Sequence, residues 1–484
     1  MFAKILTKQQ IDHIHQESLT ILERTGVIIP HEEMLSRFAK HGANVDIKAR
    51  HVKIPSELVM ELISKAGKEF TLYGRDLSKK AEFGHGKRNY NTTAGQAFWI
   101  DNIGEKPRYT TMNDVITAVK FADALEEINI PGAMSDPHEV PVEWRCVKVA
   151  VEAIKNTTKP IMFWFYDRAS AEFIVELLIT LRGDEKKAEK YPMFYPFLEP
   201  VSPLSFPFHG VDLLFETARL NMPVPIGPMA QMGISAPSTL AGTMAQENAE
   251  ILAGICITQL IREGMPICYG GICHAFDMKT VQLIFSGPEQ AIFNVAMTQM
   301  GKYYGFPIYI NAGLTDSKLP DAQAGLECGA TLALGVAAGA DVFGHMGICG
   351  VDQASSLDIL VMQSEIISYV ESINRDIIFE EEKFAIDLIE NVGPQGSFIN
   401  KAHTRKHFKK ELWFPTLLDR NYYKSWKEKG ATDMEQRCRE RKNEILMSHE
   451  PEPFSDDLVR DIENIVTRAK QSLSHKNRIG KNKI

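Results

Sequence analysis

Apolar residues in this chain follow two alternating patterns. From residue 88 onward, short apolar runs end near glycine or proline, and each is followed by a longer stretch with apolar positions at helical spacing. The runs predict strands at 89–93, 128–134, 161–166, 193–198, 224–228, 267–271, 308–313 and 341–346. The stretches that follow predict helices at 112–125, 142–154, 170–181, 210–220, 239–261, 288–303, 321–338 and 355–369. A strand spacing of roughly 30–40 residues suits parallel strands joined by helical crossovers, because hairpins need only a few residues. Eight such units predict an α/β fold, a TIM (β/α)8 barrel over 88–372, with its chemistry on the loops after the strands. The rival is an open doubly wound sheet, but the first strand lacks the GxGxxG turn that would favour it.

The barrel pattern is flanked by helical segments. Residues 1–87 predict an N-terminal helical cap, with a helix over 9–23 and further helices opened by Pro30 and Pro55. Residues 373–484 predict a C-terminal helical extension. It holds the aromatic group Trp413, Phe414, Tyr422, Tyr423 and Trp426, a charged helix over 433–446 and an amphipathic helix over 455–473. That region suits a scaffold or the surface of a homo-oligomer. The basic run 475–483 predicts a frayed, solubilising tail.

Composition narrows the classes. The 484 residues are 44% hydrophobic, enough for one large barrel with peripheral helices. With 54 Lys+Arg against 62 Asp+Glu the net charge is −8, which argues against a nucleic-acid partner. No apolar run is long enough for a membrane span. Seven cysteines without a CxxC pair, and no signal-peptide pattern, predict buried thiols in a reducing cytoplasm.

Candidate chemistry sits at the strand ends. The sixth strand ends at Gly270-Gly271, two residues that would let backbone approach a ligand closely, and leads into a loop with Asp277 and Lys279. These two form either a local ion pair or ligand contacts, and Asp316 carries the same ambiguity. Gln323 opens the helix after the seventh strand and could point into the mouth. Strand alternation places Trp164 with Tyr166, Tyr195 with Phe197 and Glu199, Tyr309 with Asn311, and Asp341 with Phe343 and His345. If those faces point inward, the mouth is rich in aromatic rings and suits a quaternary ammonium. Each ring taken singly is also an ordinary core residue. His345 lies between glycines and could hold a substrate carboxylate or be structural. Cys273, His274 and Cys349 are the weaker alternative, a zinc site.

Taken together, the segments 270–280, Ser286-Gly287-Pro288-Glu289 and 316–324 resemble those of the trimethylamine methyltransferase family of corrinoid-dependent enzymes. The resemblance covers most of the chain and implies methyl transfer from an amine to the cobalt(I) of a separate corrinoid protein. Founding members use pyrrolysine in the barrel, whereas this chain contains only the standard twenty residues. The resemblance is therefore to the non-pyrrolysine branch, and implies a quaternary amine such as glycine betaine, demethylated to dimethylglycine. It implies a cage of Trp164, Tyr195, Phe197 and Phe343 around the ammonium, with His345 and Asn311 on the carboxylate. The chain lacks a DxHxxG cobalamin signature, so no cofactor is expected to bind tightly and cobalamin would arrive on the cognate corrinoid protein. Two other readings remain open: a zinc-dependent barrel methyltransferase for a thiol or methanol, and a non-catalytic betaine-binding protein.

Overall fold

The computed structural model describes the backbone over residues 3–480 and the side chains over 3–474, so the basic run 475–483 has side chains outside the described residues. The centre is an α/β arrangement around a curled parallel sheet. Its strands lie in the order Asn89–Thr92, Val342–Met346, Ile308–Ile310, Ile267–Gly271 and Val224–Ile226. Their registers pair Asn89 with Val342, Val342 with Tyr309, Ile308 with Tyr269, and Ile267 with Val224.

The other three predicted strands, 128–134, 161–166 and 193–198, form isolated parallel bridges in place of ladders. Asn91 bridges Ile130, Gly132 bridges Met162, and Leu198 bridges Ile226, while the Ile161 amide donates to the Met193 carbonyl at 3.0 Å. Pro131 and Pro196 lie inside two of these segments, and proline has no N–H to give a ladder. Gly132 is required by close approach, because a Cβ there would stand 2.1 Å from the Thr93 carbonyl oxygen. A helix follows each of the eight segments, as the spacing predicts, with ends shifted by at most a few residues; the eighth runs to Ile373.

The N-terminal region is less purely helical than predicted. It contains the helices Lys8–Thr20, Glu32–Lys40 and Ser56–Lys65, together with a small antiparallel sheet and the hairpin Phe70–Tyr73/Lys80–Phe83. Period-two burial in that hairpin turns Phe70, Leu72, Ala81 and Phe83 inward. They join Ile130, Met162, Tyr195, Cys268, Tyr309 and Val342 in one cluster, so the hairpin stoppers the N-terminal end of the parallel segments.

The C-terminal extension is fastened to the centre by several contacts, two of them through its last two long helices. Helix Asp456–Gly480 lays Ile462, Ile465, Val466, Ala469 and Leu473 into the core shared with the helices Val142–Lys155 and Arg168–Arg182. Helix Met434–Ser448 sends Lys442 to Asp358 at 2.9 Å, with both side chains almost fully buried. Lys442 also donates to the Asp101 carbonyl at 2.8 Å. All seven cysteines are free and buried, and no helix among the described residues is long and apolar enough to cross a membrane.

Removing one partner of a buried ion pair strands the other charge. Lys442→Met is expected to cost about 3–5 kcal/mol, read as a lower midpoint of unfolding by denaturant. Replacing Asp358 by Leu in the same chain should recover most of that loss.

Candidate functional site

Side chains on one face of the 193–198 segment and its extension rise through the interior in layers. Tyr195 is lowest, fully buried, its hydroxyl 3.8 Å from the Met162 sulfur and its ring edge-on to Phe83 at 6.3 Å. Phe197 comes next, edge-on to Trp164 at 6.1 Å and to Tyr309 at 5.5 Å. Glu199 stands at the rim, in a cavity of about 560 Å³ also lined by Trp164, Phe197, Met229 and Gln231. Trp164 is held by its indole N–H, 3.4 Å from the Gly95 carbonyl.

His345 reaches this interior through a break in the strand. In a regular strand Phe343 and His345 would share a face. Here the register shifts between Phe343 and Met346, and His345 adopts φ 70°, a left-handed backbone uncommon outside glycine. Phe343 therefore packs outward, stacked on Tyr90 at 5.0 Å, while the His345 ring meets Tyr309 at 5.9 Å. Gly344 is obligatory between them, since a Cβ there would stand 1.9 Å from the Tyr309 hydroxyl. Burial pulls His345 down to about 4, so its imidazole is neutral near pH 7. Its ring nitrogens have no hydrogen-bond partner among the described residues.

Deeper polar groups are fixed from the surrounding helices. Asn311 Nδ2 lies 3.2 Å from His274 Nε2, and the Asn311 carbonyl accepts from Asn294 at 2.8 Å and Gln290 at 3.0 Å. His274 stacks on Phe285 at 4.9 Å, and burial, reinforced by nearby His345, pulls it down to about 3. The amide oxygens of Asn91 and Asn311 and the hydroxyls of Ser135 and Ser286 are buried without a partner among the described residues. Unpaired buried polar atoms are costly, so such a group suits a ligand or ordered water.

The cavity is negative at its rim. Glu199 is exposed at this rim, yet desolvation by the surrounding cavity wall, with Asp352 nearby, raises its carboxyl to about 7. Burial raises Asp352 to about 6, against the pull of a 2.7 Å hydrogen bond from Gln96. Gly350, Val351 and Asp352 all have positive φ, a tight loop that turns the carboxylate back over the mouth. Among the described residues, no lysine or arginine lines the cavity. Arg145, on a neighbouring helix, is committed to Asp136 at 2.9 Å and to the Val140 carbonyl at 2.8 Å.

Several residues predicted for the site lie elsewhere. Phe343 belongs to the outer core, and Gln323 is exposed, donating to Glu327 at 2.8 Å. Gly270 and Gly271 serve packing: a Cβ would stand 2.5 Å from the Ile226 carbonyl oxygen and 2.2 Å from the Met297 Cβ. Asp277 accepts from the Lys279 amide and the Thr280 hydroxyl, each at 2.8 Å, so it shapes an exposed turn. That turn belongs to the hairpin His274–Asp277/Gln282–Ile284 rather than to a loop running into a helix. Asp316, raised to about 6 by burial, accepts from the Phe285 amide at 3.0 Å and fastens this hairpin. The zinc set does not assemble: Cys273 and Cys349 sit in separate outer cores, and no three His, Cys, Asp or Glu residues among those described could hold a metal. Sequence reasoning left Asp352 and Gln96 out of the site. The glycines at 347 and 350, flanking the return from the eighth strand, were the available signal for Asp352.

The chain is 32% identical over 457 residues to a glycine betaine methyltransferase of Desulfitobacterium hafniense (strain Y51), covering 94% of each. It is 30% identical over 459 residues to a trimethylamine methyltransferase, MttB, of Desulfitobacterium hafniense (strain DSM 10664 / DCB-2), covering 95% of this chain and 92% of that one. The crystal structure of the Methanosarcina barkeri monomethylamine methyltransferase aligns with a TM-score of 0.48 at 10% identity, over 90% of this chain and 92% of that one. Residues 1–474 match the family described as trimethylamine methyltransferase (MTTB), and the chain belongs to that family.

Proposed function

We propose that this chain removes a methyl group from a quaternary amine and passes it to the cobalt(I) of a corrinoid carried by a separate protein. The observation that carries this reading is a cavity walled by Trp164 and Phe197, rimmed by Glu199 and lined by no lysine or arginine. Ring faces attract a desolvated cation, and carboxylates at the rim add a field of the same sense. The substrate nitrogen keeps the electron pair of the broken C–N bond and leaves as a neutral tertiary amine, so no proton donor is required. The residues therefore act by holding one methyl group toward the mouth for in-line attack and by excluding water behind it.

The eight parallel segments support a closed (β/α)8 reading. Each is bonded to the next, and Val342–Met346 returns to Asn89–Thr92. The acceptor is then a second substrate, presented at the mouth by its own carrier. Candidate amines include glycine betaine, the substrate in the name of a relative at 32% identity, and quaternary ammonium ions without an acid tail. Incubating the chain with reduced corrinoid and candidate amines, and following methylation by absorbance, tests the reading. Calorimetric binding of an amine with no transfer would instead favour a non-catalytic binding protein.

Trp164→Ala and Phe197→Ala are each expected to raise KM for a quaternary amine about 2- to 30-fold with a smaller change in kcat, because a ring holds the cation in ground and transition states alike. The pH dependence follows from the rim acids. Asp352 and Glu199 are protonated below about 6 and about 7, so the cavity gains negative charge as pH rises through those values. A quaternary amine does not titrate. KM should therefore fall about tenfold from about pH 5.5 to pH 8, and Glu199→Gln should flatten that fall.

A further inference from the structure

We infer that this cavity is built for a quaternary ammonium whose remaining substituent carries no negative charge, such as a hydroxyalkyl or alkyl group, and that Glu199 and Asp352 exclude a carboxylate tail. The inference rests on the reading of this cavity as the amine site. It departs from the substrate in the name of the glycine betaine relative.

A betaine places a carboxylate within a few bonds of its ammonium, so its site needs donors or cations for that group. This cavity offers no lysine or arginine. Arg145 is already paired with Asp136, which also accepts from the hydroxyl of Tyr166 on the cavity wall. Arg168, two residues after Tyr166, is paired with Asp212 at 3.4 Å. Lys318, on the rim loop after Ile308–Ile310, is exposed and donates to the Asp316 carbonyl at 2.8 Å. Of the polar side chains that line the cavity, Ser202 is spent on Glu250 at 2.6 Å and the Tyr166 hydroxyl on Asp136. That leaves His209, Gln231 and Ser235, none of them a permanent cation. The buried groups that do not line it are weak donors. His345 is neutral, and Asn311 spends one of its two amide N–H groups on His274 while its oxygen, an acceptor, is unpaired. Ser135 and Ser286 add two hydroxyls, each able to donate once.

Charge sets the sign of the preference. A substrate carboxylate would become a third negative group in a space of about 560 Å³ that already holds Glu199, with Asp352 close enough to act on it. At separations of about 7 Å and an effective dielectric of about 20, each like-charge pair weakens binding by more than about tenfold. The ammonium gains from both carboxylates whatever its tail. A hydroxyl tail meets acceptors here and an anionic tail meets repulsion. This is specificity by a repulsive element placed against the competitor.

The test is calorimetric titration of the full chain at about pH 8 with choline, tetramethylammonium and glycine betaine. Choline is expected to bind at least about tenfold more tightly than glycine betaine. In the isosteric variant Glu199→Gln/Asp352→Asn that ratio should shrink to within about threefold, and Glu199→Gln alone should move it in the same direction. The ratio is read within one protein, so a general loss of folded chain cancels. Glycine betaine binding as tightly as choline, or a ratio unchanged in both variants, overturns the inference. Methyl transfer to a reduced corrinoid is measured in parallel. Its absence with every amine, beside an intact binding ratio, overturns the methyltransferase reading and supports the specificity.

Discussion

Buried backbone groups at the upper ends of the parallel segments must find partners, and here the surrounding helices supply them. Glu247, on helix Leu240–Ile261, accepts from the amides of Ala230 at 3.1 Å and Ile272 at 2.9 Å, tying two neighbouring strand ends together. Gln290 and Asn294 hold the Asn311 carbonyl from the next helix. Thr331 accepts from the Gly313 amide at 2.9 Å, and Gln363 bridges the Gly313 carbonyl and the Gly347 amide, each at 2.6 Å. An unsatisfied amide or carbonyl at such depth would cost several times what one net hydrogen bond contributes. The loops that shape the cavity are therefore fixed in place by polar side chains inside otherwise apolar helices, and the rings inherit their positions from those loops.

This constraint explains why the helices were easy to find and the loops were not. Helical spacing and the glycines after it are local properties, so all eight helices that follow the parallel segments lie close to their expected positions. The buried polar residues that anchor the loops look, along the sequence, like defects in an apolar stripe. Glu247 with Glu250, or Gln363 with Glu365, reveals its purpose only when the distant backbone it binds is known. The strands around Pro131 and Pro196 were legible as extended segments, but whether they form ladders depends on N–H groups that proline lacks. Short two- and three-residue pairings, including the hairpin at His274–Asp277, were hidden because alternation over so few residues carries little signal.

The site was legible in its composition and only partly in its geometry. Period two aligns Tyr195, Phe197 and Glu199: Tyr195 and Phe197 share one core cluster, and Phe197 and Glu199 share the cavity wall. The same rule misplaced Phe343, because the bulge at Gly344–His345 reverses the faces beyond it. Glycines around a histidine mark such a reversal as possible without fixing its direction. Asp352 came from a loop with three successive left-handed residues, a conformation that long-range packing imposes and that no local periodicity announces.

The aromatic hairpin at the foot of the sheet has a kinetic corollary. Phe70 stacked on Phe83 at 4.1 Å, beneath Tyr195, fills the foot of the interior, so the doorway for a ligand is the cavity rimmed by Glu199 at the other end. A carrier seated over that doorway would imprison whatever lies beneath it. The spent amine could depart only after the carrier lifts away, and a fresh amine must be loaded before the next carrier arrives. On the methyl-transfer reading proposed above, turnover would be ordered, and an excess of the unmethylated carrier would slow it by sitting on the unloaded enzyme.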